Sequence, residues 1–474
     1  MRTSKRQPQP PATNPPSGVE WQILDKTTKD QIASNRGVVD RYRGQIDKVR
    51  KRDIELRLTD RNGKPHAGRT VRLVQTNSDF LWGFCGWGLI QAIRTGKLAE
   101  LGQERIYRAK ADLFNAVNLM HYWVELVCDN APVSEEFQGF PDYDSLDKSV
   151  NWALSNGLAP KGHPIFWPVP KAIPPWLAKY DNATRLKFLE IRVRTIASRF
   201  RGRMKLYDAV NEMIWEPVFA DTHKRHWPHL SKISRIADDA ERVIGWAREE
   251  DPGAAYLIND YGVVVGDHEK INIKCHDGSF ISRHEQAHRY AELIHELKKR
   301  GCAPDAVGIQ NFHGSGSCTQ DIATIDLLGR DTGLPVHITE FGPGQFVGAM
   351  EKAGAPRDEI IERIWEYDEA ALTIAFGHPS VDALFFWYGQ DYLFDRRGYP
   401  GVLYKKLHDL IHHQWRTDVT LRTDADGRVA FRGFCGDYRV RLQPRTNRGQ
   451  ERGIGFNLPQ ANRGKFKLSL AIAE

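Results

Sequence analysis

The sequence lacks long apolar runs and metal-ligand patterns. No stretch of about 18 apolar residues occurs, so no membrane-spanning helix is predicted. The six cysteines among 474 residues show neither a CxxC spacing nor a paired histidine pattern, so neither a zinc site nor a disulfide framework is expected. Cys302 and Cys318 flank one predicted strand, and the sequence leaves open whether they pair or remain buried free thiols.

The sequence also has only a small excess of positive over negative charge. The 67 Lys and Arg residues against 60 Asp and Glu residues give a net charge of +7, and the basic residues are scattered apart from small N-terminal clusters. Nucleic acid is therefore not expected as the main partner. The 41% share of hydrophobic residues permits a large core. The 13 Trp and 15 Tyr residues fit either an aromatic core or surfaces on which sugars stack.

The two ends of the chain differ from its middle. Residues 1–36 are predicted to be a disordered lead-in, because residues 1–17 are rich in Pro, Gln and basic side chains and lack the apolar segment of a signal peptide. Residues 37–76 and 416–474 contain strand-like alternation, and each has too few strands to bury its own apolar face. We therefore predict that they form one small accessory β-sandwich, with residues 77–415 inserted between them.

A turn signal lies between the first two predicted strands. Asn62-Gly63 follows strand-like residues 53–59 and precedes the strand-like run 70–75. Because Asn-Gly favours the tight turns of β-hairpins, this spacing predicts that the two strands pair with each other.

Strand-like runs alternate with helical stretches throughout residues 77–415. The predicted strands are Phe80–Cys85, Phe114–Leu119, Pro160–Trp167, Leu206–Glu212, Ala255–Asp260, Ala306–Phe312, Val336–Glu340 and Ala383–Tyr388. This repetition predicts a (β/α)8 TIM barrel, an architecture of the α/β class. A doubly wound open sheet is the alternative, but no Gly-rich phosphate loop follows the first strand.

Two of the predicted strands carry a glutamate at or near their C-terminal end. The two strings are Asp208-Ala209-Val210-Asn211-Glu212 and His337-Ile338-Thr339-Glu340-Phe341-Gly342. Because the active site of a barrel lies at the C-terminal ends of its strands, both glutamates are expected at one mouth. This arrangement suits a retaining glycosidase, in which one carboxylic acid protonates the leaving oxygen and the other carboxylate attacks the sugar carbon. The other interpretation of a strand-end glutamate is a surface or salt-bridged residue.

These two strings, with others in the same chain order, resemble glycoside hydrolase family 10, the xylanase family. The additional strings are Lys161-Gly162-His163-Pro164-Ile165-Phe166-Trp167 with Pro175-Trp176-Leu177, Ile258-Asn259-Asp260-Tyr261, Gly308-Ile309-Gln310, and Phe386-Trp387-Tyr388-Gly389-Gln390-Asp391. The resemblance covers residues from about Phe80 to Ile411. It places Glu212 at the end of the fourth barrel strand and Glu340 at the end of the seventh.

The resemblance implies roles for the site residues. Glu340 is expected to be the nucleophile and Glu212 the acid/base, with Asn211 bonding the 2-hydroxyl of the sugar and Gln310 orienting the nucleophile and the sugar. It implies an endo-acting enzyme that cleaves a β-linked polysaccharide, with xylan as the expected substrate, and that needs neither metal nor cofactor. It also implies a secreted or periplasmic location, although no signal peptide is visible.

Several positions depart from the family pattern. The family has Glu-Asn and then Lys after the second strand, where this chain has Met120-His121-Tyr122-Trp123-Val124. Pro168 replaces a His, and the family's Gln-x-His is one residue longer here, at Gln310-Asn311-Phe312-His313. The two glutamates are retained, while the polar residues around them differ from the family pattern. Two alternatives to a xylanase therefore stay open, which are the same chemistry on another β-glycan and a carbohydrate-binding protein without turnover.

Four further side chains are candidates for contact with the sugar. Trp176 is a candidate through its family motif, and Trp387, at the tip of the eighth strand, is expected to form a stacking floor rather than barrel core. His121 and His313 follow strands, so each is expected either to touch a sugar hydroxyl or to cap a loop.

Overall fold

The structure, a computed structural model, describes residues 20–124, 135, 137–222, 228–264, 272–312, 319, 321–342, 344–387, 390–443, 452–460 and 464–472. Within these residues the strands are β1 (Lys51–Thr59), β2 (Thr70–Ser78), β3 (Leu81–Cys85), β4 (Ala116–Met120), β5 (Ala159–His163), β6 (Leu206–Asn211), β7 (Ala255–Asp260), β8 (Ile273–Lys274), β9 (Phe280–Ile281), β10 (Ala306–Phe312), β11 (Val336–Gly342), β12 (Val381–Phe386), β13 (Asp418–Arg422), β14 (Arg428–Phe434), β15 (Gly436–Leu442), β16 (Arg452–Leu458) and β17 (Phe466–Ala471).

The α-helices of the same residues lie between most of the strands. They are α1 (Glu20–Ser34), α2 (Arg36–Arg50), α3 (Trp87–Arg94), α4 (Leu101–Leu113), α5 (Asp144–Ser155), α6 (Asn182–Arg199), α7 (Ile233–Glu250), α8 (Arg283–Lys299), α9 (Asp321–Thr332), α10 (Gly344–Lys352), α11 (Arg357–Gly377) and α12 (Val402–Asp409). Side-chain caps stabilise the first turns of two of these helices. Asp181 caps α6 by accepting from the N–H of Thr184 at 2.8 Å, and Ser282 and Glu285 form a reciprocal capping box at α8.

A closed barrel of parallel strands forms the largest unit of the fold. The strands follow one another in the order β3, β4, β5, β6, β7, β10, β11 and β12, and β12 pairs with β3 to close the ring. β4 and β11 are buried at every residue, as expected for parallel strands that helices cover on the outside. The predicted (β/α)8 barrel is confirmed, and each of its eight predicted strands overlaps an observed one.

A second apolar core lies within an accessory β-sandwich. One sheet has three strands, in the order β14, β1 and β17. The other sheet has four strands, in the order β13, β2, β15 and β16. Ile54 and Leu56 of β1 share one buried cluster with Val71 and Leu73 of β2 and with Val440 of β15. The predicted sandwich, built from segments before and after the barrel, is confirmed.

The hairpin predicted between the first two strands is wrong. The turn itself is present, because Asp60 Oδ1 accepts from the N–H groups of Asn62 at 2.8 Å and Lys64 at 2.9 Å. However, β1 pairs with β14 and β17, whereas β2 pairs with β13 and β15. Both strands alternate buried and exposed residues. The turn therefore carries the chain from one sheet to the other, so that both apolar faces reach the shared core.

The N-terminal segment also differs from its prediction. Residues 1–19 lie outside the described residues, but 20–34 form α1 rather than a disordered lead-in, and 36–50 form α2 rather than part of a β domain. α2 buries three apolar side chains in the barrel cluster, those of Val39, Tyr42 and Ile46. Arg363 of α11 donates to Asp25 of α1 at 2.7 Å. The two helices are ordered because they pack on the outer layer of the barrel.

Three features of the described part of the chain concern membranes, metals and thiols. There, no helix is long and apolar enough to cross a membrane, and no three His, Cys, Asp or Glu side chains are placed to hold a metal ion. Cys302 is a free thiol, and its candidate partner Cys318 lies outside the described residues. Burial raises the pKa of the Cys85 thiol to about 12, so that thiol stays protonated at neutral pH.

Arg50, at the junction of α2 and β1, connects the barrel to the sandwich. Only 2% of the residue is exposed. Its guanidinium donates to the main-chain carbonyls of Phe376, Ala375, His378 and Val381 and to the side chains of Asp382 and Gln460. It also lies over the rings of Phe80 and Phe376, at 4.7 and 5.2 Å from their centroids. Removal of this side chain would leave several buried carbonyls without a donor.

The Arg50→Ala variant is therefore expected to lose about 3–5 kcal/mol of unfolding free energy, the usual range for breaking a buried charged network. Urea denaturation followed by Trp fluorescence would measure the loss. Arg57→Ala is the matched control, because Arg57 lies on the next strand and is exposed. It is expected to change stability by less than about 0.5 kcal/mol. Equal urea midpoints for the two variants would refute the linking role of Arg50.

Candidate active site

Glu212 occupies a strained backbone position directly after β6. Its φ of 58° is the one positive value outside glycine among the described residues. The N–H of Glu212 donates to the carbonyl of Asn259 at 2.7 Å, and Asp260 accepts from the N–H of Ile214 at 2.9 Å. The neighbouring strand β7 thus holds the turn that carries Glu212. Such left-handed residues persist where the surroundings enforce them, and they cluster at functional sites.

The carboxyl group of Glu212 is held by two side chains. Gln310 Nε2, on β10, donates to Glu212 Oε1 at 2.9 Å, and Trp167 Nε1 donates to Glu212 Oε2 at 2.7 Å. Gln310 is 6% exposed, so its amide has little freedom to leave this position. These contacts fix the orientation of the Glu212 carboxyl group at the C-terminal mouth of the barrel.

Asn259 of β7 links the two strands that carry the glutamates. Its Nδ2 donates to Asn211 Oδ1 at 2.8 Å and to Glu340 Oε1 at 3.2 Å. Its Oδ1 accepts from the Thr339 hydroxyl, which fixes which end of the amide faces Glu340. Gly308 of β10 makes room for this side chain, because a Cβ there would lie 2.6 Å from Asn259 Oδ1. One hydrogen-bonded constellation therefore contains five side chains, those of Glu212, Asn211, Asn259, Glu340 and Gln310.

Both carboxyl groups lie where ionisation is disfavoured. Burial raises the pKa of Glu212, and the hydrogen bonds from Gln310 and Trp167 oppose this only in part. Burial and the charge of Glu212 raise the pKa of Glu340 well above its ordinary value, against the opposing effects of Lys161 and Asn259. Because each carboxylate disfavours ionisation of the other, the pair keeps one proton at a pH where two isolated glutamates would both be ionised.

A buried ion pair lies deeper in the barrel. Lys161 of β5 forms a salt bridge with Asp208 of β6, and His163 Nδ1 lies 2.7 Å from the same carboxylate. Although burial acts in the opposite direction, Lys161 and His163 hold the pKa of Asp208 at about 2. Asp208 is therefore ionised and keeps the Lys161 cation paired inside the barrel.

Aromatic rings line the region between β5 and β12. The ring centroid of Trp387 lies 5.2 Å from that of His163, and Tyr122 lies 5.5 Å from Trp167 and 6.1 Å from His163. Tyr122 and His163 are buried, whereas Trp167 and Trp387 are half-buried. The two tryptophans therefore present indole surface next to the carboxyl groups, on which a sugar ring can stack.

Two predicted contact residues, His121 and Trp176, are not part of this constellation, and a third lies outside the described residues. His121 is 2% exposed, and neither of its ring nitrogens has a hydrogen-bond partner among the described residues. Burial and the charges of Arg192 and His163 lower the pKa of His121 to about 3, so its ring is neutral. Trp176 packs against Trp123 and Phe188, and its indole N–H has no hydrogen-bond partner among the described residues. His313 lies outside the described residues.

The sequence interpretation gave neither Asn259 nor His163 a role at the site, although both stand in strings that carry the family resemblance. A usable signal existed for each, because a polar residue in a mostly buried strand needs a partner. The interstrand register supplies the missing information, since Asn211 pairs with Asn259 across β6 and β7.

A third carboxyl group, that of Glu216, lies in the turn after Glu212. Only 8% of the residue is exposed, and its Oε1 accepts from the Tyr261 hydroxyl at 3.1 Å. Burial, and then the charge of Glu212, raise the pKa of Glu216 to about 7. Glu216 therefore gains a negative charge next to Glu212 within the neutral pH range.

Comparison with known proteins identifies one family. The family model described as glycosyl hydrolase family 10 matches residues 108–391. That range includes the two strands that carry Glu212 and Glu340, as well as Asn259 and Gln310.

Individual relatives are similar at low identity. Endo-1,4-beta-xylanase 1 of Arabidopsis thaliana is 24% identical over 442 residues, which cover 90% of this chain and 40% of that protein. Endo-1,4-beta-xylanase B of Thermotoga neapolitana is 27% identical over 300 residues, covering 58% of this chain and 75% of that protein. The chain spans less than half the length of the first curated relatives that it matches.

A solved structure supports the fold alone. The crystal structure of xylanase 10B from Thermotoga petrophila RKU-1 in complex with xylobiose superposes with a TM-score of 0.51 at 18% identity. The superposition covers 71% of this chain and 95% of that chain.

Proposed function

Because this chain belongs to glycosyl hydrolase family 10, we propose that it is a retaining, endo-acting glycoside hydrolase whose substrate is a β-1,4-linked xylan. The observation that carries the proposal is the hydrogen-bonded constellation of Glu212, Asn211, Asn259, Glu340 and Gln310 at the barrel mouth. A binding protein has no need of two buried carboxyl groups with raised pKa values, since burial of such groups is unfavourable.

In the first step, the Glu340 carboxylate attacks the anomeric carbon and forms a glycosyl ester. The bond from that carbon to the leaving oxygen breaks, and the oxygen takes the proton of Glu212. In this proposal Asn211 bonds the sugar 2-hydroxyl, and Asn259 holds both Asn211 and Glu340. These amides suit a neutral sugar because each can donate and accept.

In the second step, the proton affinity of Glu212 changes. Ester formation removes the negative charge of Glu340, so the repulsion that kept one proton on the pair disappears and Glu212 stays ionised. Glu212 then takes a proton from water, the water oxygen attacks the anomeric carbon, and Glu340 leaves as a carboxylate. The two inversions at that carbon give net retention.

A panel of purified polymers tests this proposal. Wild-type protein would be incubated with β-1,4-xylan, β-1,4-glucan, β-1,4-mannan and aryl β-xylosides, and the products followed by proton NMR. We expect internal cleavage of xylan with the β-anomer released first. Initial release of the α-anomer would refute retention, and no turnover of any member by folded protein would favour the binding alternative.

A different β-1,4-glycan is the second candidate substrate. It is favoured by Met120, Val124 and Pro168, which are buried and stand in the stretches where the family resemblance leads us to expect Glu, Lys and His. With polar contacts to the sugar removed, specificity for one sugar depends on fewer hydrogen bonds. Faster cleavage of glucan or mannan than of xylan in the panel would select this candidate.

The pH dependence should report the charge of Glu216. Ionised Glu216 disfavours ionisation of Glu212, so Glu216→Gln should let Glu212 lose its proton at lower pH. The alkaline limb of kcat/KM against pH is therefore expected to move to lower pH. Glu292→Gln, which removes an exposed carboxylate from α8, is the control with an unchanged profile. An unmoved alkaline limb in Glu216→Gln would mean that the two carboxylates are not coupled during turnover.

A further inference from the structure

The mouth of the barrel has two halves of different chemistry. Four consecutive strands, β6, β7, β10 and β11, carry the hydrogen-bonded constellation with both glutamates. The other four, β12, β3, β4 and β5, are also consecutive in the ring, and an aromatic residue follows each of them. In that order, these residues are Trp387, Trp87, Tyr122 and Trp167. One half of the mouth is therefore suited to hydrogen bonding and the other to stacking.

The rings of the stacking half form a continuous series. The ring centroid of Tyr122 lies 5.9 Å from that of Trp87 and 5.5 Å from that of Trp167. Trp167 in turn donates to the carboxyl group of Glu212. Tyr122 is 4% exposed, whereas Trp87 is half-buried. Tyr122 therefore supports Trp87 from the protein side, and the indole of Trp87 is the ring of this pair that a ligand can contact.

The main chain on both sides of Trp87 is held in place. The N–H of Gly86 donates to the carbonyl of Asn118 on β4 at 2.8 Å. A Cβ at Gly86 would lie 2.8 Å from that same carbonyl oxygen, and a Cβ at Gly88 would lie 2.5 Å from the hydroxyl oxygen of Tyr107. The two glycines thus let the first turn of α3 approach β4 and α4 closely, which gives Trp87 a fixed position.

Trp87 lies on the Glu340 side of the mouth. In the closed ring, β3 is two strands from β11, which carries Glu340, and three strands from β6. Burial is the main cause that raises the pKa of the Cys85 thiol, the N–H of Trp87 donates to that thiol and lowers its pKa, and the charge of Glu340 raises it. Trp87 therefore bonds a side chain that lies within range of the Glu340 charge. Because Glu212 would protonate the leaving sugar, the sugars that stay bonded to the nucleophile lie on this side.

Charged and amide side chains are missing from the strand tips around Trp87. Residues 85–88 and 120–124, at the tips of β3 and β4, include no Asp, Glu, Asn, Gln, Lys or Arg. The family pattern places Glu, Asn and Lys in the second of these stretches. His121, the one histidine in these two stretches, is 2% exposed, so it is covered by protein. A sugar above these two tips meets an aromatic ring instead of a polar grip.

We propose that Trp87 is the floor of a second sugar site, which binds the unit next to the cleaved sugar by stacking on its apolar face. This inference rests on the proposed function, because it takes the cleaved sugar to lie at Glu340. The ligand is a β-1,4-linked pyranose with equatorial hydroxyl groups, since these leave the C–H faces of the ring free to stack. An apolar site discriminates weakly between such sugars. The second site should therefore accept xylose and glucose alike, which leaves the choice between them to the polar half of the mouth.

Two aryl glycosides test the second sugar site in the full chain. An aryl β-xyloside fills only the position that is cleaved, whereas an aryl β-xylobioside also places a sugar on Trp87. In Trp87→Ala, kcat/KM is expected to fall about tenfold more on the xylobioside than on the xyloside, the size of one aromatic contact. Trp87→Phe should recover most of this difference, because it keeps a ring. The matched control is Trp365→Ala, which removes a half-buried indole from α11 and should change the ratio of the two rates by less than about twofold.

The hydroxyl groups of the substrate give a second readout, which needs no variant. Wild-type protein would be assayed with two xylobiosides that lack either the 2-hydroxyl or the 3-hydroxyl of the terminal sugar. Stacking predicts a loss in kcat/KM of less than about threefold for each, whereas a site built from hydrogen bonds predicts about tenfold or more. A loss of that larger size for either analogue would overturn the proposal. Equal losses of Trp87→Ala on the two aryl glycosides would also overturn it.

Binding without turnover separates this proposal from the catalytic one. Proteins that carry Glu340→Ala would be titrated with xylotetraose and with cellotetraose by calorimetry. The further change Trp87→Ala is expected to weaken binding of both by about tenfold, and Trp365→Ala by less than about twofold. This result for a protein whose wild type cleaves no member of the panel would refute catalysis and leave the second sugar site in place. Normal turnover by wild type, with binding that does not depend on Trp87, would overturn the second sugar site alone.

Discussion

The Glu340→Ala variant is expected to lose turnover on every substrate, polysaccharide and aryl glycoside alike, by at least about 10⁴-fold. Glu340 is 4% exposed and lies in the constellation through Asn259. If it is the nucleophile, no glycosyl ester can form without it, and a better leaving group cannot compensate for that loss. Initial rates on xylan and on an activated aryl β-xyloside would measure the effect.

Glu340→Gln separates loss of chemistry from loss of folding. The folded state raises the pKa of Glu340, so it favours the protonated form and is destabilised as the pH rises and this group ionises. A neutral amide of the same shape should therefore give a urea midpoint at pH 7 no lower than that of wild type. An inactive but equally stable Glu340→Gln protein supports the catalytic role. Retention of more than a few per cent of activity would refute it.

The Glu212→Ala variant should show an effect that depends on the leaving group. A sugar leaves poorly without a proton, so cleavage of polysaccharide is expected to fall by about 10²–10⁴-fold, the usual contribution of a general acid. An activated aryl glycoside leaves without that proton, so its first step should be much less affected. Its glycosyl-enzyme should then accumulate, because water lacks a base, and a burst of the aryl product would reveal it.

Azide provides the second readout for Glu212. Azide needs no deprotonation, so it should restore turnover of the aryl glycoside by Glu212→Ala and give the β-glycosyl azide. Glu216→Gln is the reference variant, because it removes a carboxyl group next to Glu212 and leaves Glu212 itself in place. Wild-type rates of Glu212→Ala on polysaccharide would exclude Glu212 as the acid. Rescue of Glu340→Ala alone, with the α-azide as product, would reverse the two assignments.

The barrel could be predicted from the sequence because its strands are buried on both sides. Runs such as Val336–Glu340 are continuous in apolar and β-prone residues, and helical stretches separate them. The same pattern locates Glu212 and Glu340 at strand ends, and parallel strands bring those ends to one mouth. The main elements of the candidate active site thus follow from the order of the strands along the chain.

Features that depend on pairing between distant segments could not be predicted in the same way. The Asn62-Gly63 turn has the local signal of a hairpin, yet the shared sandwich core places its two flanking strands in different sheets. α1 has a weak helical pattern, whereas α2 carries Val39, Tyr42 and Ile46 at helical spacing, and both helices pack against α11. Asn259 joins the site only through its register between β6 and β10. For the turn and for Asn259, contacts with distant segments decide the outcome.

The interleaved sandwich also sets an order of events during synthesis on the ribosome. β1 and β2 emerge first, but all of their strand partners are made after residue 417. At about 5–20 residues per second, the two strands wait roughly 20–70 s with unpaired edges and an exposed apolar face. Unpaired edges of this kind recruit other chains. The nascent chain is therefore open to aggregation, and to capture by a chaperone, from the emergence of β1 and β2 until its last strands are released.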